Sequence, residues 1–278
     1  MTDIFSEFRK DSSIVYPPFS QMYFEKYFYN FMHANHPEML DRYIPIFWTE
    51  NQISKWNKEA RQAAVNTLPA DKKYFTVVQH ADGIKHTRLS NTTVFGMGER
   101  CDIPLPLTYE NPELFKQYAN RAKTIFCSFV GASTHPCRIA ACKELNGKPN
   151  VVLSVRGWTN KIPSENQKQF IEIMSKSRFS LAPRGYGKTS FRLYEALKLG
   201  SIPVYIYDEL LLPYTELLDW NKMAVLIHIR DIPTMYEKLR NISDDEVVSM
   251  LLYYEQHKHL FSYEGISKYI IDRVYKII

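Results

Sequence analysis

The chain has 278 residues and a mass of 32.7 kDa, is 45% apolar and 14% aromatic, and carries a formal net charge of +5. That composition excludes a disordered tail. The modest positive charge, spread along the chain with no long lysine or arginine run, favours an anionic ligand but does not demand nucleic acid. A chain of this length suits two domains of roughly 120 to 150 residues each.

Asp3, Glu7, Arg9, Lys10 and Asp11 interrupt the first twenty residues, so no signal-peptide core is expected there, and no later apolar run reaches the length of a membrane span. The expectation is a cytoplasmic chain. Phe24, Phe28 and Phe31 fall in helical phase over residues 20–32. Pro37 breaks that pattern, residues 43–48 read as strand-like, and residues 52–65 as a second helix. A short apolar strand at 74–78 ends in Gln79-His80-Ala81-Asp82-Gly83, and polar residues just past the carboxyl end of a strand are where open α/β sheets do chemistry. Residues 92–95 make a further strand. The proline-rich stretch 102–112 reads as the crossing between domains.

A second alternation follows, with strands at 124–130 and 151–155 and helices at 136–145 and 164–174. Pro136 suits a first helical position, Gly147 a C-terminal stop, and Ser164 with Gln167 a capping box. Cys101, Cys127, Cys137 and Cys142 show neither a C-x-x-C pair nor histidines at zinc-ligand spacing, so buried thiols are expected and not a metal knot.

The most informative stretch is RFSLAPRGYGKTSFRLYEALKLGSIPVYIY, residues 178–207. It reads as a strand at 179–182, a glycine turn, a helix over 190–199 and a strand at 202–206, with Gly200 closing the helix. A glycine-containing turn feeding a helix N-terminus offers free backbone N–H groups and the positive end of the macrodipole, which suit a phosphate. Between 176 and 198 stand Lys176, Arg178, Arg184, Lys188, Arg192 and Lys198 against the single acid Glu195. Lys188, Arg192 and Glu195 are spaced for one helical face, so two cations for a diphosphate and a carboxylate for a ribose diol would read a sugar nucleotide. Gly187-Lys188-Thr189 suggests a P-loop but departs from its pattern, because Ala182 stands where that pattern needs glycine and Pro183 stiffens the turn. No D-x-D metal motif occurs; Asp244-Asp245-Glu246 reads as a helix cap after Ser243, in a helix running to about residue 260, following a strand at 224–229.

PRGYGKTSFRLYEALKLGSIPVYI closely resembles the signature P-R-G-x-x-x-x-S-F-R-x-x-E-A-x-x-x-G-x-I-P-V of the exostosin-like glycosyltransferases, glycosyltransferase family 47. YPPF, YFEKYFYN, IPIFW, DIPLP, and FVG with a following arginine fit the family more loosely, so the resemblance covers most of the chain. It implies an α/β fold of GT-B type, two Rossmann-like domains facing a central cleft, and inverting transfer from a UDP-sugar to a hydroxyl of a carbohydrate or glycan. No metal or other cofactor is expected, the nucleotide sugar being a co-substrate, and a pentose such as xylose is the favoured sugar.

The expected domains are an acceptor domain at 1–122 and a donor domain at 123–262, with a helix in 263–278 packing back on the first. On the donor side the resemblance points to Arg184, Gly185, Tyr186, Gly187, Thr189, Ser190, Arg192 and Glu195, with Arg138 and Arg156 following two strands. Asp82, then His80, are the candidates for the catalytic base, with Glu50 and Asp102 behind them. Tyr16 and Trp48 are the candidate acceptor-stacking rings, with Phe19 and Trp158 as further possibilities. A catalytically silent carbohydrate-binding or partner-stabilising exostosin-like protein is the alternative reading, and a P-loop-like nucleotide hydrolase the lesser one.

Overall fold

The computed structural model describes all residues except 1–2, 11–16, 18, 55–56, 120 and 160–161. The chain forms two compact units: residues 1–110 with 262–278, and residues 111–261. In chain order the first unit holds α1 (Phe24–Asn35), α2 (Trp48–Ile53), α3 (Lys58–Asn66), β1 (Tyr74–Val78), β2 (Thr92–Gly96) and β3 (Ile103–Pro104). The second holds α4 (Pro112–Tyr118), β4 (Ile125–Ala132), α5 (Pro136–Leu145), β5 (Val151–Arg156), α6 (Ser164–Ser175), β6 (Ser177–Pro183), α7 (Phe191–Lys198), β7 (Ile202–Tyr207), β8 (Val225–His228), α8 (Met235–Arg240) and α9 (Asp244–His257). The last helix, α10 (Tyr263–Ile277), returns to the first unit. Two α/β units, each on a parallel sheet, are the make-up of a GT-B type fold.

The second unit is built on five parallel strands in the order β5-β4-β6-β7-β8. Counted from its own first strand this is 2-1-3-4-5, a doubly wound order whose connections part company between β4 and β6. Phe129, Phe179, Leu181, Ile202, Val204, Ile206, Val225 and Ile227 fill the core with Ala141 and Leu145 of α5 and Met235 and Leu239 of α8. Near-continuous apolar strands are what a parallel sheet covered on both faces requires. Helix α7 buries Leu193, Ala196 and Leu197 and stops at Gly200, whose φ of +66° lets the Gly200 and Ser201 N–H groups bond back to the carbonyls of Leu197 and Ala196 at 3.0 and 2.9 Å. Lys123 caps the same corner, its ammonium donating to the carbonyls of Ser175 and Leu199 at 2.7 and 2.8 Å. Burial pulls its pKa down to about 8.

The first unit has a smaller parallel sheet, β1-β2-β3, with Tyr43 joined to Phe75 by a single parallel bridge. Its strands are parallel, but residues 79–91 and 97–102 connect them without a helix. The two connections instead cross in close contact. A Cβ on Gly98 would lie 2.4 Å from the Ala81 carbonyl oxygen, and one on Gly83 would strike that of Glu99. Helix α10 lies on α1, where the Tyr263 ring packs 5.2 Å from Phe24 and its hydroxyl donates to the Met22 carbonyl at 3.0 Å.

Other expectations shift for local reasons. The first boundary falls after Glu110 and not after residue 122, because α4 packs on α6 and Lys198 lies 5.0 Å over the Phe115 ring. The helix expected over 52–65 is two helices, since Asn57 caps α3 through the Ala60 N–H. Of the strand expected at 43–48 only the Tyr43 bridge pairs, and Trp48 already opens α2. Pro163, not Ser164, is the N-cap of α6, and Gln167 donates to the Ile162 carbonyl, so no capping box forms there. The Ser243 and Glu246 box does form. All four cysteines are free.

Candidate functional site

The switch point lies between the carboxyl ends of β4 and β6, and the family-like residues gather there. After β6 the chain turns through Gly185 and Gly187, whose backbones bond to each other at 3.1 Å, and enters α7 with Ser190 as N-cap, its hydroxyl accepting from the Arg192 N–H at 3.3 Å. Thr189 and Ser190 are buried, whereas Tyr186 projects with 67% of its surface exposed. A Cβ on Gly185 would come within 2.5 Å of Arg138 Nη2, so a side chain there would displace that buried guanidinium.

Arg192 reaches from the first turn of α7 to the end of β4. Its Nε and Nη2 donate to the Val130 carbonyl at 3.1 and 2.9 Å, and its guanidinium lies over the rings of Phe129 and Phe170 at 5.3 and 5.5 Å. Carbonyl and rings fix the group without neutralising its charge. Glu195 stands one turn on and is buried. Lys188 precedes α7 and does not share its face with Arg192 and Glu195.

Arg138 has a different part. It is 6% exposed and spends its guanidinium on the carbonyls of Arg184, Ala132 and Pro183, at 3.0, 2.9 and 3.4 Å. It braces the β4 and β6 ends against each other instead of reaching outward. Arg156 ends β5 and bonds to Gln169 of α6. Arg184 is held by Asp208 and Lys188 by Glu209. These two acids follow β7, and the rule that pointed to the loop after β1 would have found them had it been applied to that strand as well.

In the first unit, the loop after β1 brings together His80, Asp82 and Lys85. Asp82 forms an ion pair with Lys85, and its N–H donates to His80 Nδ1 at 3.2 Å. Burial lowers the His80 pKa, Lys85 lowers it further and Asp82 opposes both, so the imidazole is neutral at pH 7. With Nδ1 accepting, the proton sits on Nε2. Gln52 clamps the loop from α2, donating to the Gly83 carbonyl at 2.9 Å and accepting from the Lys85 N–H at 2.6 Å.

Beneath the loop lies a node that the sequence did not disclose. Glu25, 0% exposed, accepts from the N–H and hydroxyl of Thr49 and from the N–H of Gln79, which in turn accepts from the Phe24 N–H at 2.7 Å. Burial pushes the Glu25 carboxyl up to about 7 against the pull of those donors, with buried Glu50 nearby adding to the rise.

Trp48 is a correction: it is 0% exposed and its Nε1–H bonds to Thr76 Oγ1 at 2.8 Å, so it is a core ring and no platform for an acceptor. Glu50 lies buried within α2, where no strand precedes it, and Asp102 accepts from the Val94 N–H at 2.8 Å. Trp158 is 66% exposed just past β5. Tyr16 lies outside the described residues.

A family model described as the Exostosin GT47 domain matches residues 9–242. The Exostosin-1 homolog of Caenorhabditis elegans is 33% identical over 111 residues, 40% of this chain and 28% of that protein. Probable glucuronosyltransferase 47 A of Physcomitrium patens is 33% identical over 87 residues, 31% of this chain and 19% of its own length. The chain thus matches only a minor part of either relative. Among solved structures, an alpha1,3-fucosyltransferase gives a TM-score of 0.41 at 14% identity, over 70% of this chain and 66% of that one. An alpha1,3-fucosyltransferase with GDP-fucose gives 0.37 at 11% identity, over 74% and 79%.

Proposed function

The chain belongs to the exostosin GT47 family, and from that premise we propose that it is an inverting, metal-independent glycosyltransferase using a UDP-sugar and a glycan hydroxyl. The observation that carries the reading is the arrangement at the β4/β6 switch point. A glycine turn, the N-terminus of α7 and the Arg192 guanidinium fixed on the Val130 carbonyl come together where doubly wound sheets take nucleotides.

In this reading Arg192 and the first N–H groups of α7 take up the charge that develops on the departing diphosphate, and Glu195 orients the ribose. The acceptor oxygen bonds to the anomeric carbon as the bond from that carbon to the diphosphate oxygen breaks. The acceptor's proton passes to the base, for which Asp82 is preferred. The lone pair of His80 Nδ1 is engaged by the Asp82 N–H, which leaves this histidine a hydrogen-bond donor through Nε2.

Xylose remains the favoured sugar, and the glucuronosyltransferase name of one relative adds glucuronate to the donors worth trying. The test is a thermal-shift and hydrolysis screen of UDP-sugars with chelator present. UDP should raise the melting temperature of the wild type and leave Arg192→Ala unmoved, while Asp82→Ala should keep binding and lose turnover. Turnover that strictly requires a divalent cation would overturn the metal-free mechanism, and an unchanged shift in Arg192→Ala would overturn the placement of the donor.

A further inference from the structure

Two consecutive acids at the carboxyl end of β7 hold the two cations of the glycine turn. Arg184 Nη1 donates to both carboxylate oxygens of Asp208, at 2.6 and 2.5 Å, and Lys188 pairs with Glu209. The backbone joins the same pieces: the Arg184 N–H donates to the Ile206 carbonyl at 3.0 Å, and the Tyr205 hydroxyl to the Lys188 carbonyl at 2.8 Å. Asp208 is further ordered by the Glu209 N–H, which donates to its Oδ1 at 2.8 Å. Burial pushes the Asp208 carboxyl up, but the Arg184 bond and the backbone N–H groups outweigh it, so the group titrates below its ordinary range and is ionised at neutral pH. The pairs differ in exposure: the Arg184 and Asp208 side chains are 12% and 29% exposed, those of Lys188 and Glu209 25% and 70%.

A diphosphate arriving at this turn meets cations that already have anionic partners. We propose that Asp208 and Glu209 are an acidic latch on the Arg184 to Lys188 turn, which the donor's diphosphate must displace and which recaptures the cations as the nucleoside diphosphate leaves. The inference rests on the donor reading above. The latch keeps the turn in one shape while the site is empty, so the donor finds a preformed loop. It also holds product affinity down by placing two negative charges beside the leaving anion, and product release limits many transfer enzymes. A ligand shifts such pairing only by the difference in its affinity for the two arrangements, so removing the competitor must strengthen binding.

The test is calorimetric titration of UDP and of inorganic pyrophosphate into the wild type, Asp208→Asn and Glu209→Gln. Asp208→Asn should bind both probes about threefold to tenfold more tightly, and Glu209→Gln about twofold, the latter gain fading at high salt because that pair is exposed. Glu209→Gln alters a mostly exposed side chain, so the test stands even if Asp208→Asn does not fold. Equal or weaker binding of both probes by the variants overturns the latch. UDP binding unchanged across the three proteins would sink the latch and leave the donor reading intact. Pyrophosphate tightened by the substitutions, with UDP no better than pyrophosphate, would keep the latch and sink the uridine reading. No binding of either probe by any of the proteins would overturn both.

Discussion

The strand ends of the two units carry their charge in opposite ways. In the second unit cations gather at the β4 and β6 ends, paired with acids that reach solvent or fixed by carbonyls and rings. In the first, the Glu25 carboxyl lies buried by the end of β1 and is held by N–H and hydroxyl donors. A paired cation near solvent can exchange partners at small cost, whereas a buried carboxylate with three donors cannot let go without leaving all of them unsatisfied. On the proposed reading, the second unit is suited to bind and release an anion, and the buried node of the first holds the loop that carries Asp82.

The hardest blow to this contrast is Glu25→Ala. It strips the Thr49 N–H, the Thr49 hydroxyl and the Gln79 N–H of their acceptor and leaves a cavity, so about 3 to 5 kcal/mol of stability should be lost in urea unfolding. A loss under 1 kcal/mol would show that the node is not what ties α1 and α2 to the end of β1.

The same residue supplies a pH test of somewhat smaller size. Its folded pKa, about 7, stands above the ordinary value of 4.5, so the folded chain holds the extra proton between those limits. Stability from this group is therefore full below about pH 4.5 and is lost as pH rises through 7, by up to about 3 kcal/mol. Compared with Glu25→Gln, which cannot titrate, the wild type should weaken from about pH 5 to 7 and level off above that. A constant difference between the two would mean that Glu25 is ionised throughout.

In the second unit the expected effect moves from stability to binding. A Cβ on Gly131 would lie 2.1 Å from Arg192 Nη2, at the far end of a flexible side chain, so Gly131→Ala should displace the guanidinium and spare the core. Affinity for UDP should fall about tenfold, near 1.4 kcal/mol, with little change in melting temperature. If melting falls and binding does not, the contrast between the units fails on this side.

What the sequence disclosed follows the same division. The strand, turn, helix and strand of 178–207 lie within one local run whose glycines, cap and apolar spacing agree, so β6, α7 and β7 were readable with Arg192 and Ser190 in place. Glu25 meets Thr49 and Gln79 across 24 and 54 residues, and no local pattern records that meeting. Arg138 was misread for a related reason. Its position after a strand was visible, but the three carbonyls that absorb its guanidinium belong to two strand ends brought together only by the fold.

Trp48 gives the smallest and most discriminating test, because its sequence reading and its structural position disagree. An acceptor platform must show a ring face to solvent, yet this ring is 0% exposed, with its N–H on Thr76 and Arg61 lying 5.6 Å over it. Trp48→Phe removes one hydrogen bond and some volume, so it should cost about 1 to 2 kcal/mol in unfolding and leave the acceptor KM where it was. A raised KM with unchanged melting would return Trp48 to the acceptor site and require the first unit to open around it. Lowered melting with an unchanged KM would leave acceptor stacking to exposed rings such as Trp158.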